Sequence, residues 1–311
     1  MTISPSLPLL LIEAFAQAPH QGNGAAVVAL EAPTSAPWMQ AVAASLKQSE
    51  TAFVVPWGEG WAIRWFTPSC EVQLCGHATL AAALALGHWG SLRPGESSVF
   101  LSRSGPLTVT LPAASDALGA PMATIELPSP PLIPATPLES LQALLIERLG
   151  ASAHQFWTSS LGYSVALLDS QVDFKRLDGL AEHLPEPCRS GLVLMQAVAD
   201  AAHGSAPLIE GQRADYQLRF FAPALGIPED PVTGSAHALV APYWQHRLGR
   251  DDVRGWQCSP QGGGMTCERT ASGAIRLRGP GQLVLDGHLA WDEQVCDPES
   301  WSVLFPDVLA R

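Results

Sequence analysis

The sequence has few charged residues, and acidic ones predominate among them. Charged side chains make up 15% of the 311 residues, and 29 Asp and Glu against 17 Lys and Arg give a formal net charge of −12. Binding to nucleic acid phosphates draws on clustered Lys and Arg, and the sequence shows no basic stripe. The composition therefore argues against a nucleic-acid partner.

The sequence also lacks long apolar runs. No stretch approaches the roughly 20 apolar residues that a membrane helix needs, so we expect no membrane partner. The short apolar run near the start has no cationic segment before it and stops at Glu13, so it predicts a first strand rather than a signal peptide. The six cysteines are too few for a disulfide framework in a chain this long, which favours reduced thiols and a cytoplasmic protein.

Several motifs that mark cofactor or nucleophile sites are missing from the sequence. It contains neither a Rossmann glycine fingerprint nor a P-loop. Gly234-Ser235 lacks the glycine two residues before the serine that a nucleophile elbow requires. Cys70, Cys75 and His77 have a suggestive spacing, but no second cluster completes a tetrahedral zinc set. We therefore expect no cofactor and no metal.

Hydrophobic residues, at 47%, are abundant, and one apolar segment organises the first half of the chain. Residues 78–86 are apolar on every side except at Thr79, and a helix without a polar face must be buried all round. The turn Cys75-Gly-His77 leads into this helix. Free backbone N–H groups at a helix start lie at the positive end of the helix dipole and suit a carboxylate.

A second stretch repeats this layout half a chain later. Phe221-Ala-Pro223 corresponds to Phe66-Thr-Pro68, and each is followed by a loop and an apolar helix that begins at a glycine. The ninth residue after each phenylalanine is Cys75 in one copy and Asp230 in the other. The repeat predicts two similar lobes, and Pro242 is expected to kink or end the second helix.

The length of the chain allows two cores of about 150 residues each. Between residues 112 and 137 the composition shifts to Pro, Ala and Ser, which is typical of an interdomain crossing. We therefore predict an N-terminal lobe at 1–128, a C-terminal lobe at 129–295 and a separate tail at 296–311.

Four polar residues are candidates for chemistry. Glu50 shares a face of a predicted strand with apolar Ala52 and Val54, and burial of a carboxylate there would raise its pKa toward the working pH of a general base. A solvated strand glutamate is the plainer interpretation. His77 at a helix start, Asp230 before a proline and Ser235 in a first helical turn also have purely structural explanations, as a cap, a turn former and a helix-start hydroxyl.

Four segments together resemble the phenazine-biosynthesis PhzF-like family of the diaminopimelate epimerase superfamily. The resemblance runs from about residue 10 to 290. The segments that carry it are Ser49-Glu-Thr-Ala-Phe-Val54, Arg64-Trp-Phe-Thr-Pro68, Leu74-Cys-Gly-His-Ala-Thr-Leu-Ala81 and Phe221-Ala-Pro-Ala-Leu-Gly-Ile-Pro-Glu-Asp-Pro-Val-Thr-Gly-Ser-Ala-His237.

The resemblance implies an α+β fold of two similar lobes, each a β-barrel-like sheet around a central buried helix, with the active site in the cleft between them. It implies cofactor-free isomerisation of a small carboxylate-bearing substrate, including cyclic or hydroxylated amino acids, by a homodimer. Glu50 matches the family's acid/base glutamate, and His77, Asp230 and Ser235 match its polar site residues. Gly76 and Gly234 match the backbone donors that hold the carboxylate.

Two departures from the family patterns bear on this interpretation. Racemases of the wider superfamily place a cysteine in each lobe, whereas Cys75 has no thiol counterpart near Asp230, which argues against a two-thiol racemase. The usual Gly-Asn-Pro is Gly22-Asn-Gly24 here, so a more flexible turn is expected. A non-catalytic carboxylate-binding protein and a serine hydrolase that uses Ser235 remain the alternatives.

Overall fold

A computed structural model describes residues 6–113, 119–199, 206–302 and 304–305. The strands are β1 Leu7–Ala14, β2 Asn23–Ala29, β3 Glu50–Trp57, β4 Gly60–Phe66, β5 Glu71–Val72, β6 Ser97–Ser102, β7 Gly105–Thr110, β8 Met122–Leu127, β9 Ile133–Pro134, β10 Gln155–Thr158, β11 Ser164–Leu167, β12 Leu192–Ala197, β13 Leu208–Ile209, β14 Gln212–Arg213, β15 Tyr216–Ala222, β16 Ile227–Asp230, β17 Asp252–Gln257, β18 Gly263–Arg269 and β19 Ile275–Leu289. The α-helices are α1 Ala36–Leu46, α2 Gly76–His88, α3 Glu139–Leu149, α4 Gly234–Leu248 and α5 Glu299–Ser302.

The chain divides into two compact units. The first unit comprises Met1–Glu126 and Arg278–Arg311, and the second comprises Leu127–Leu277. The predicted N-terminal lobe ended close to this boundary, but the predicted C-terminal lobe extended to residue 295. The structure differs because β19 pairs with β1 from Leu289 opposite Leu7 to Gly281 opposite Ala14, which returns the chain to the first unit.

The first unit is a closed eight-stranded barrel. Its pairs run β1–β2, β2–β3, β3–β4, β4–β6, β6–β7, β7–β8, β8–β19 and β19–β1, so no free edge remains in the ring. Helix α2 contacts β1, β2, β3 and β7, and all of its residues from Gly76 to Leu86 are buried, as the all-apolar pattern predicts.

Helix α1 covers the outside of this barrel along β3 and β4. Trp38 and Met39 pack there with Trp301 and Phe305 from the predicted tail, and Trp301 Nε1 donates to the carbonyl of Thr34 at 3.0 Å. The described part of the tail therefore completes the core of the first unit. Residues 303 and 306–311 of the predicted tail, and residues 114–118 of the predicted crossing, lie outside the described residues.

The second unit is a mixed sheet in the order β9–β10–β11–β12–β15–β17–β18. Strand β16 pairs with the end of β15, on the side where β17 pairs with its beginning. Helix α4 packs against β17 and β18, and α3 packs with short 3-10 turns over a separate apolar cluster. Of the two effects expected of Pro242, it does not end the helix, because α4 continues to Leu248.

No helix among the described residues is long and apolar enough to cross a membrane.

Candidate active site

The residues of the first unit that are best suited to catalysis lie together at the start of α2. Glu50 is the first residue of β3, and His77 is the second residue of α2. The Oε2 atom of Glu50 lies 3.1 Å from Nε2 of His77, and the two side chains are only 8% and 4% exposed. Sequence reasoning named both residues, and the structure brings them together.

Both faces of β3 are buried, which explains how a glutamate at its beginning is withdrawn from water. Glu50 through Val55 are all buried, so Glu50 is held in a dry environment regardless of the strand alternation. His77 lies beside Oε2 of Glu50, and Ser49 and Cys75 also interact with the carboxylate. A buried carboxylate oxygen is suited to accept a proton from a bound molecule.

Asn23 and Ser49 hold the His77 ring. Asn23 Nδ2 lies 3.1 Å from His77 Nδ1, and Ser49 Oγ lies 3.1 Å from His77 Nε2. Ser49 Oγ also donates to Asn23 Oδ1 at 3.0 Å and to the carbonyl of Gly24 at 2.9 Å. The amide N–H of Asn23 facing Nδ1 fits a neutral ring, and rotating that amide by half a turn would present its oxygen to an imidazolium.

The Gly22-Asn-Gly24 turn places Asn23 for this contact. Gly22 has φ of 90°, and a Cβ there would lie 2.5 Å from the carbonyl oxygen of Ala14, so only glycine fits. Gly24, where the family pattern has proline, lies within β2 opposite Glu13. The positive φ of this turn is thus at Gly22.

The corresponding candidates of the second unit lie at the start of α4. Asp230 ends β16, is 6% exposed, and accepts a hydrogen bond from Thr233 Oγ1 at 2.5 Å. Gly234 and Ser235 are the first two residues of α4. Ser235 Oγ lies 3.2 Å from the hydroxyl of Tyr163, a residue that the sequence analysis did not name.

The two helix starts share one chemical property. Cys75 precedes Gly76 at the start of α2, Thr233 precedes Gly234 at the start of α4, and among the described residues no side chain caps either helix. Uncapped first-turn N–H groups at the positive end of a helix dipole are ready donors for an anionic group. Each unit therefore presents one backbone site suited to a carboxylate.

Comparisons with known proteins agree with this geometry. The family model described as phenazine biosynthesis-like protein matches residues 12–285. The chain belongs to this family. An uncharacterised isomerase of Pseudomonas aeruginosa is 37% identical over 286 residues, covering 89% of this chain and 96% of that protein. These matches, with relatives named as isomerases, identify the chain as an enzyme of the PhzF-like isomerase or epimerase type.

Solved structures show the same fold. A PhzF-family protein of Enterococcus faecalis has a TM-score of 0.73 and 32% identity, covering 91% of this chain and 99% of that one. A hydroxyproline epimerase of Agrobacterium vitis has a TM-score of 0.56 at 13% identity, covering 94% of each chain, and shares the fold. The predicted α+β fold of two similar lobes with central helices is thereby confirmed.

The charge state of the Glu50–His77 pair differs from what the sequence led us to expect. Burial, the largest influence, acts to raise the pKa of Glu50, but the charge of His77 and hydrogen bonds from His77, Ser49 and Cys75 outweigh it. The pKa of Glu50 therefore lies below its ordinary value of 4.5, contrary to the expected rise. Glu50 is an ionised carboxylate at neutral pH and can accept a proton.

His77 shows the complementary shift. Burial is again the largest influence and acts to lower the pKa of His77, but electrostatic interactions and hydrogen bonds with Cys75 and Glu50 raise it well above 6.5. Burial first, and the charge of Glu50 second, raise the pKa of the Cys75 thiol to about 11, so that thiol is neutral at pH 7. At neutral pH, Glu50 is therefore the charge that keeps His77 protonated.

Glu50, Cys75 and His77 are also residue types that bind metals, with ligand atoms within 4.8 Å of one another. Cys75 Sγ, however, lies 3.5 Å from Nδ1 and 3.9 Å from Nε2 of His77, so it is almost equidistant from the two ring nitrogens. The Cys75 thiol, whose pKa is raised to about 11, would also have to lose its proton to bind an ion there. The arrangement as it stands fits proton transfer better than metal coordination.

Ser235 lacks the surroundings of a hydrolytic nucleophile. Within the described residues its hydroxyl contacts a tyrosine, whereas the nearby His237 bonds the Tyr216 hydroxyl through Nδ1 at 2.9 Å. Burial lowers the pKa of His237 to about 3, which makes it a poor base. Within the part of the chain that the structure describes, no imidazole or carboxylate is hydrogen-bonded to Ser235, so the serine-hydrolase alternative gains no support.

Proposed function

We propose that the protein is a cofactor-independent isomerase that moves a proton between carbon atoms of a small carboxylate-bearing metabolite. The observation that carries this proposal is the 3.1 Å contact between Glu50 Oε2 and His77 Nε2 in a buried site. The substrate class, a cyclic or hydroxylated amino acid or a related carboxylate, follows from the PhzF-like family and from the backbone donors at the helix starts.

The coupling between the two groups supports proton abstraction followed by return. Glu50 removes a proton from carbon and becomes neutral, so that the bond to hydrogen is broken and its electron pair stays on the substrate. His77 then loses the charge that supports its imidazolium, and burial lowers its pKa. His77, or the protonated Glu50, can therefore return a proton at another carbon.

The backbone donors support the intermediate charge. Removal of a proton next to a carboxylate or carbonyl places negative charge on oxygen, and N–H groups that already point at that oxygen stabilise the charge without reorganisation. In the first unit, which contains Glu50, we assign this role to the amide at Gly76, and the amides at Gly234 and Ser235 are a separate set of anion donors in the second unit. Asp230, whose carboxylate is oriented by Thr233, is assigned to proton transfer or substrate orientation.

Deuterium incorporation from solvent tests the role of Glu50. The Glu50→Gln variant, incubated in D₂O with a panel of small cyclic and hydroxylated carboxylic acids, should incorporate deuterium about 10²–10⁴-fold more slowly than the wild type. Glu13→Gln, a half-buried glutamate on β1 of the same barrel, is the matched control and should exchange at the wild-type rate. Unchanged exchange in Glu50→Gln would exclude Glu50 as the base.

The same panel separates the enzyme from a non-catalytic carboxylate-binding protein. If the protein is an enzyme, a carboxylate that raises the melting temperature of the protein also incorporates deuterium. If it is a binding protein, the carboxylate stabilises the protein without isotope exchange. The homodimer and the cytoplasmic location that the resemblance and composition suggest belong to the same proposal.

A further inference from the structure

Gln257, the last residue of β17, was not among the residues that sequence reasoning selected. Its side chain is fully buried, with 0% exposure. Its Oε1 accepts a hydrogen bond from the backbone N–H of Thr233 at 2.7 Å, and its Nε2 donates to the carbonyl of Asp230 at 2.6 Å. A third contact runs from Nε2 to Thr233 Oγ1 at 3.2 Å.

These bonds join the two ends of the turn that connects β16 to α4. The turn runs from Asp230 to Thr233, and the single amide of Gln257 satisfies the carbonyl at its beginning and the N–H at its end. Ser259, two residues further along the chain, donates to the carbonyl of Pro231 within the same turn at 2.8 Å. The end of β17 and the residues just after it therefore hold this turn in place.

The turn between β16 and α4 positions the candidate site residues of the second unit. Thr233 Oγ1, which Gln257 contacts, donates to Asp230 Oδ2 and so orients that carboxylate. Gln257 also occupies the N–H of Thr233, which leaves the amides of Gly234 and Ser235 as the foremost donors of α4. One buried side chain thus controls both the carboxylate and the position of the backbone donors.

We propose that Gln257 is a positioning residue that holds Asp230 and the start of α4 in the geometry needed to bind and process the substrate. This inference rests on the proposed function for its catalytic consequence, but its structural part can be tested independently. Gln257 itself acts through Asp230, Thr233 and Gly234.

Hydrogen–deuterium exchange of the backbone tests the structural part without any substrate. Gln257→Leu keeps the approximate side-chain size and removes all three bonds, so the peptide that contains Thr233 and Gly234 should exchange at least about tenfold faster. Gln196→Leu is the matched control, because Gln196 is also a buried glutamine on a strand of the second unit and bonds the carbonyl of Val172. In that control, exchange at the turn should stay within about twofold of the wild type.

A second variant covers the case in which Gln257→Leu does not fold. Gln257→Glu retains the acceptor for Thr233 but, when ionised, turns a carboxylate oxygen toward the carbonyl of Asp230. We expect its kcat/KM for deuterium incorporation to fall about tenfold to hundredfold, with Gln196→Leu unchanged. Protonation of the new carboxyl restores a donor, so the deficit relative to wild type should shrink as the pH is lowered. Protonation also relieves the destabilisation by a buried carboxylate, so the folded fraction is measured at each pH and kcat/KM is expressed per folded molecule.

The outcomes separate the two proposals. If the wild type shows no isotope exchange with any carboxylate, the proposed function fails while the backbone measurement still decides the role of Gln257 in the turn. If the wild type is active and both Gln257 variants retain its kcat/KM and its protection at Thr233, the positioning role is overturned. Faster backbone exchange with unchanged kcat/KM would reduce Gln257 to a structural residue and equally overturn the proposal.

Discussion

At the scale of single residues, the charge states of Glu50 and His77 depend on each other. Burial would neutralise either side chain alone, and each remains charged because its partner lies 3.1 Å away. A buried ion pair is weak evidence for stability, since desolvation offsets its attraction. Its value to this enzyme lies in the coupling, because a change in the protonation of one member changes the proton affinity of the other.

This coupling predicts a characteristic pH dependence of stability. The contribution of His77 is complete below its ordinary pKa of 6.5 and is lost as the pH rises through its raised folded-state value. The contribution of Glu50 is complete above 4.5 and is lost as the pH falls through its lowered folded-state value. The stabilisation from the pair is therefore greatest between these two ordinary values.

We accordingly expect His77→Gln to reduce the free energy of unfolding by about 3–5 kcal/mol near pH 6 and by less at pH 8 to 9. Chemical denaturation across this pH range measures the difference. His88→Gln serves as the control, because His88 pairs with Asp286 at the surface, where both side chains are exposed, and should show little effect at any pH. A His77→Gln deficit that is constant with pH would contradict the ion pair.

At the scale of elements, the two units repeat an arginine–glutamate hairpin. Arg64 on β4 bonds Glu71 on β5 through Nε and Nη2 at 2.8 and 2.9 Å. Arg219 on β15 bonds Glu229 on β16 through Nε and Nη2 at 2.7 and 2.5 Å. Each hairpin leads into the loop before a central helix, so the repeat extends beyond the Phe-x-Pro motif to the packing beneath it.

The two hairpins differ in how much the stability of the fold depends on their arginine. Arg219 is 1% exposed and also bonds Asp178 and the carbonyl of Phe174. Burial, the largest influence, raises the pKa of Glu229 above its ordinary value even beside Arg219. Burial is also the largest influence on Arg219 and acts to lower its pKa, but the carboxylates of Glu229 and Asp178 outweigh it and raise the pKa of the arginine. Burial prevails at Glu229 because Glu229 has one cationic partner and also feels the charge of Asp178.

We therefore expect Arg219→Met to cost about 3–5 kcal/mol in the free energy of unfolding, because it leaves Glu229 buried without a cation. Arg64→Met is the matched comparison and should cost less, since Arg103 Nη1 still lies 3.1 Å from Glu71. Urea unfolding of the two variants gives both values. Equal costs would show that the additional partners of Arg219 contribute nothing.

The helices and hairpins show which structural features could be predicted from the sequence. Helices α2 and α4 were predictable because an all-apolar segment has to be buried, and Glu50 and His77 were found through motifs around them. The arginine hairpins were missed because their glutamates lie at different distances from the repeated phenylalanine. Glu71 follows Phe66 by five residues and Glu229 follows Phe221 by eight, so a comparison at one fixed spacing does not reveal the repeat. Asn23 and Gln257 were missed because a buried amide has no sequence signature apart from its contacts.

At the scale of the whole molecule, the last strand decides where the first unit ends. Strand β19 pairs with both β1 and β8, so residues more than 270 positions apart, such as Leu7 and Leu289, close one barrel. The sequence placed 278–295 with the second lobe because local patterning reveals a strand but not its partner. Barrel closure removes the strand edges that would otherwise be open to pairing with other chains.

Two fragments with different ends test this assignment. Fragment 127–277 contains the second unit and its own apolar cores, so we expect it to be monomeric and to unfold cooperatively. Fragment 129–295 adds the part of β19 that carries Leu283, Val284 and Leu285, which are already about half exposed in the complete protein and would lose the neighbouring strand β1. We expect that fragment to self-associate, because it combines unpaired strand edges with apolar side chains. Size-exclusion chromatography and thermal unfolding compare the two, and a monomeric 129–295 fragment with the higher melting temperature would place residues 278–295 in the second unit.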